Sequence, residues 1–161
     1  MAAASLFSIA AGATIGACLA GFWSIIKDIL NRRSEAKSLR KGLVAEVQTI
    51  DHLMKVRGYR PILESLILQM KLEGKKTHRF GAYIGENFNP VYMANMDKIG
   101  LLPSNLGSDI VRFHAYIYAI TCDFHEKSMF SKEGYDRETV ENMVDLLVKT
   151  EQLACSILSH K

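Results

Sequence analysis

The residues able to do chemistry in this chain gather in one stretch. "GKKTHRFGAYIGENFNP", residues 74–90, holds Lys75, Lys76, His78 and Arg79 in close succession, with Tyr83 and Asn87 following and three of the chain's eleven glycines between them. Clustered cations on a glycine-rich backbone suit an anionic, phosphate-bearing ligand. Lys and Arg supply charge, the backbone presents amides, and an aromatic ring stacks on a base. The same letters also fit solvated loop charge or contact with lipid. In a symmetric oligomer the cluster would be repeated around one axis, which multiplies its field without any new residue.

Two other groupings point to plainer roles. His114, Tyr118, Cys122 and His125 recur on neighbouring turns of one helix, and Cys122 with His125 at i, i+3 has the spacing of a partial metal site. That pair is two ligands short of a full set, and packed or surface side chains explain the spacing as well, so no metal is expected. Phe113, Tyr116, Tyr118 and Phe124 read as core packing. No GxxxxGK[ST] phosphate loop, GxGxxG, HExxH or nucleophile elbow occurs, so the expectation is a non-enzyme with no catalytic residues and no cofactor. The three cysteines, Cys18, Cys122 and Cys155, form no CxxC pair. An odd count of this kind points to free thiols rather than a disulfide framework.

The elements that must carry these residues begin with an apolar N-terminal run. From Ser5 to Ile26 there is no Asp, Glu, Lys, Arg or His. Those twenty-two residues would give about 33 Å of helix, enough for a hydrocarbon core of about 30 Å. A cleaved export signal fits poorly, because no basic side chain stands before the run and its apolar character continues past "IGAC" to Ile26. The expectation is a single transmembrane anchor over residues 1–30 and a helical cytoplasmic domain over 31–161. Lys27, Arg32, Arg33, Lys37, Arg40 and Lys41 follow the run. By the positive-inside rule they place the N-terminus outside and the bulk of the chain in the cytoplasm, with Trp23 at the inner boundary. This cluster also accounts for the net charge of +3. Its expected neighbour is anionic lipid of the bilayer, and duplex nucleic acid is not needed as a partner.

Within the run, Ser8, Gly12, Gly16 and Ala20 recur at every fourth residue, beside a second stripe of Ala13, Ala17 and Gly21. Small residues let helix backbones approach closely in lipid, so a homo-oligomer is expected. The remaining chain reads as an all-α bundle of about four helices. Leu39, Leu43, Val47, Ile50 and Met54 carry the first helix onward from the anchor. Gly58 breaks it, Pro61 suits the first turn of the next, and Ile62, Leu63, Leu66, Ile67 and Met70 form the expected buried face before Gly74. A short hairpin between Phe80 and Phe88 is compatible with the irregular segment. Asn89 and Pro90 open one short helix, "VYMANMDKIGLL", closed by Gly100 and Pro103. Leu106, Ile110, Phe113, Ile117, Ile120 and Phe124 make a sustained stripe. With Val111, Ala115, Ala119 and Cys122 on its other side, this helix is expected at the bundle centre. Asp136 caps the last helix, whose core positions are Val140, Met143, Val144, Leu147, Ala154, Ile157 and Leu158.

The order of an uncharged anchor, "NRRSEAKSLRKGLVAEV" and "NPVYMANMDKIGLLP" resembles a group of small bacterial inner-membrane proteins with helical cytoplasmic domains. The layout is also similar to membrane effectors of bacterial antiviral systems, including type III CRISPR effectors that respond to cyclic oligoadenylate. No site residue is implied by that second likeness. Together these readings frame two expectations. One is a membrane sensor/effector of the bacterial inner membrane that binds an anionic ligand, such as a nucleotide second messenger, and acts through an oligomeric span. The other is a passive scaffold that recruits a protein partner through its helical surface.

Overall fold

The computed structural model describes residues 2–74, 76–78, 88–125 and 134–160, with the side chains of 2–21 outside the description. The fold is all-α. Helix α1 spans Ala2–Arg57, α2 Tyr59–Glu73, α3 Pro90–Ala94, α4 Ser104–Phe124 and α5 Arg137–Ser159. A 3-10 turn, Met96–Leu101, joins α3 to α4. The chain divides into two compact units, Met1–Ser38 and Leu39–Lys161.

In the second unit, apolar periodicity becomes two adjoining cores. Leu39, Leu43, Val47 and Ile50 of α1 pack with Leu106, Ile110, Phe113 and Ile117 of α4 and with Ala154 and Ile157 of α5. Leu63, Leu66 and Met70 of α2 pack with Ile120 and Phe124 of α4 and with Val140, Met143 and Leu147 of α5. Helix α5 therefore serves both cores, its first half against α2 and its second against α1. The Ser156 hydroxyl donates to Asp109 Oδ2 at 3.1 Å, joining the end of α5 to the start of α4 and making the two antiparallel.

The punctuation is local chemistry. Gly58 and Gly74 both sit in the left-handed region, at φ 64° and 63°, so the chain can reverse between α1 and α2 and leave α2 without a Cβ clash. Asp136 accepts from the Thr139 amide at 2.8 Å and caps α5, satisfying one of its orphan donors.

Several expectations are corrected. The face of α4 bearing Val111, Ala115 and Cys122 is exposed and Tyr118 is 65% exposed, so α4 is covered on one side rather than placed at the centre. Phe113 and Phe124 are core residues, whereas Tyr118 is not. Ile62 lies outside the buried face of α2, at 43% exposure. The single short helix after Pro90 is instead α3 and a 3-10 turn. Asn95, with φ −132° and ψ 20°, leaves helical geometry between them, and its side-chain amide donates to the Val91 carbonyl at 2.8 Å.

The hairpin between Phe80 and Phe88 falls on residues that lie outside those described. A different strand pair is present: β1, Thr77–His78, runs antiparallel to β2, Tyr135–Asp136. Among the described residues no helix is long and apolar enough to cross a membrane. Most of the expected span lies in residues whose side chains are outside the description, including Ser8, Gly12, Gly16 and Ala20, whose backbone belongs to α1.

Candidate functional site

Of the basic segment, Lys76 and His78 are described; Lys75, Arg79, Tyr83 and Asn87 lie outside the described residues. Lys76 is exposed and His78 half-buried. Their position is set by the strand pair, in which Thr77 faces Asp136 and His78 faces Tyr135. Two features hold that pair against the bundle. Tyr135 is buried in the second core, and its hydroxyl donates to the Asp123 carbonyl at 2.8 Å, at the end of α4. Gly134, at φ 90°, passes so close to β1 that a Cβ there would meet the Thr77 Cβ at 3.2 Å. A side chain at 134 would push the strands apart.

Beside His78 lies an open groove of about 400 Å³ on α2, lined by Pro61, Ile62, Ser65, Leu66, Gln69 and His78. Pro61, Ile62 and Leu66 make an apolar bed, while Ser65, Gln69 and His78 give it a polar edge. Its volume is in the range of small-ligand sites, about 300–1,000 Å³. The exposed Ile62 that departed from the core expectation is a wall of this groove. Asp136 is the acidic neighbour, opposite Thr77, and hydrogen bonds from Thr139 hold its carboxyl below the ordinary value. That carboxylate is engaged in capping α5.

A second polar constellation escaped the sequence reading. Glu46, on α1, is buried, and its carboxylate accepts the Val91 amide at 2.7 Å through Oε1 and the Tyr92 amide at 2.9 Å through Oε2. It thus supplies from a distant helix the N-terminal cap that Asn89 does not provide for α3. His114 of α4 is 2% exposed, stacks on Tyr92 with centroids 4.0 Å apart, and places Nε2 3.6 Å from Glu46 Oε2. That distance is too long for a hydrogen bond. Neither imidazole nitrogen has a hydrogen-bond partner, and burial lowers the ring's pKa to about 4. The signal was available in the pattern. Glu46 falls on the stripe of Leu39, Leu43 and Ile50, and His114 lies between Ile110 and Ile117, so each is a titratable residue at a core position.

The partial metal spacing on α4 gathers no site. His114 is buried and Cys122 and His125 are exposed, and among the described residues no three His, Cys, Asp or Glu side chains converge. Compared with protein-family models, with curated proteins and with solved structures, the chain matches none.

Proposed function

We propose that this chain is a membrane-anchored sensor/effector whose helical domain binds an anionic ligand at the segment following α2. The ligand class that fits best is a nucleotide second messenger. The observation that carries the reading is the junction of two chemistries at His78. His78 lines an apolar groove with Ser65 and Gln69 at its edge, which suits a base, and in sequence it belongs to the basic run of Lys75, Lys76 and Arg79. Phosphate groups would meet the cations while the ring lies against Ile62 and Leu66.

The membrane part of the proposal draws on α1. Phe22, Trp23, Ile25, Ile29 and Leu30 are all exposed along the helix, and Lys27, Arg32 and Arg33 lie among and after them. Apolar and indole side chains next to a cationic series are the composition of a membrane boundary. In this reading residues 1–30 anchor the chain in a bacterial inner membrane with the N-terminus outside, and Ser8, Gly12, Gly16 and Ala20 bring copies together. A bound ligand shifts the membrane state only through its different affinity for the two states. A place in antiviral defence follows from the resemblance in layout alone and belongs to the same proposal.

The test uses the full chain in detergent with a panel of cyclic dinucleotides and cyclic oligoadenylates, read by thermal shift. One class should raise the unfolding temperature, and the triple change Lys75→Glu, Lys76→Glu and Arg79→Glu should abolish that rise. Binding that survives the triple change with its salt dependence intact refutes the site.

The scaffold reading is favoured by a separate observation. Leu68 and Leu72 of α2 are 61% and 87% exposed one turn apart on the same helix, an apolar pair of the kind that a partner protein covers. Absence of any thermal shift, with a co-purifying protein lost on Leu68→Glu and Leu72→Glu, would establish the scaffold in place of the sensor.

A further inference from the structure

Helix α3 has five residues, none of them buried, and such a short element cannot hold itself together. Its attachment comes from α1. Glu46 accepts its first free amides, and one turn earlier Gly42 lets α3 come close, since a Cβ at Gly42 would meet Val91 Cγ1 at 3.3 Å. The third contact is the Tyr92 ring lying flat on the His114 imidazole, tilted by 19°. Docked in this way, α3 is the cover that keeps His114 from water.

We propose that Glu46 latches α3 onto α1 and that proton uptake by His114 opens the latch. The titratable groups facing the imidazole are Glu46 on α1 and Tyr92 on α3, and its own helix adds the edge of Phe113. A neutral imidazole tolerates this enclosure. An imidazolium does not: it needs partners for two N–H groups, Glu46 Oε2 stands 3.6 Å from Nε2 and must move to accept from it, and Nδ1 has no acceptor at all. Protonation can be accommodated in two ways. Either Oε2 turns from the Tyr92 amide to His114, or Tyr92 lifts away and water solvates the ring. The first gives up the Tyr92 half of the cap and the second gives up the stack, so either loosens α3. The device is independent of the ligand reading, because none of its groups belongs to the basic segment or the groove.

The sign follows from linkage. The closed state binds a proton to His114 only near pH 4, whereas the opened ring regains its ordinary value of 6.5. The open form therefore takes up more protons as pH falls, and closure is fully favoured only above about 6.5. The opening constant should rise about thirtyfold between pH 8 and pH 5.

The test is hydrogen exchange on the full chain in detergent, corrected for the intrinsic pH dependence of exchange. Amides 91–94 should lose protection about thirtyfold over that range while those of α5 hold theirs. His114→Phe keeps a flat ring against Tyr92 without a titrating nitrogen, and its α3 amides should stay protected from pH 8 to pH 5. Should that variant not fold, the His114 ring signal of the unaltered protein must titrate together with α3 opening. Unchanged protection at amides 91–94, loss that coincides with α5, or loss that persists in a folded His114→Phe protein overturns the proposal.

Discussion

At the scale of single residues, Glu46 does work that no neighbour can replace. A buried carboxylate is tolerated only when its lone pairs are used, and here two backbone amides use them at 2.7 and 2.9 Å. Glu46→Ala should lower stability by about 3 kcal/mol, since two charge-assisted bonds vanish and two amides are left without acceptors. Glu46→Gln should cost less, because its one carbonyl oxygen still serves one amide. Urea midpoints of the two variants check this, and a Glu46→Ala loss below about 1 kcal/mol would mean that the paired carboxylate does not hold α3. The apolar spacing around Glu46 and His114 was legible, but their roles were not. Capping by Glu46 joins positions 45 residues apart, and no local pattern encodes such a pairing.

At the scale of elements, helix limits followed from short-range rules. Gly58, Gly74 and Asp136 act within a turn of their own positions, which is why their signals survive in the bare sequence. Gly58→Ala forces a Cβ into the left-handed region and should cost about 1 kcal/mol, whereas Ile62→Ser, on an exposed wall of the groove, should stay within about 0.5 kcal/mol. Comparing the two in one thermal denaturation series tests the assignment; a large loss at Ile62 would place that side chain in the core after all. The face of α4 was harder to read. Val111, Ala115 and Cys122 are weakly polar but exposed, because a small or moderately apolar side chain is compatible with either side of a helix. The β1–β2 pair was not legible at all. Two residues carry no period, and the pairing exists because Tyr135 is buried beneath it and Gly134 allows the approach.

At the scale of the whole molecule, the proposed arrangement is a tether followed by a helical domain, and its orientation can be tested with the chain's own thiols. Cys122 and Cys155 are free and exposed in the second unit. In intact cells an impermeant maleimide should leave both unlabelled, and permeabilising the inner membrane should make both reactive. Labelling from outside would reverse the proposed orientation, and labelled protein released by a high-salt wash would remove the anchor.

By itself the sequence determined the all-α class, the breaks at Gly58, Gly74 and Asp136 and most of the core, since 3.6-residue periodicity and capping are properties of consecutive residues. Tertiary structure alone decided that Glu46 caps α3, that His114 is sealed beneath Tyr92, and that His78 borders a groove on α2. Each of these joins side chains on separate elements, and their proximity is a consequence of how the helices pack around the two cores.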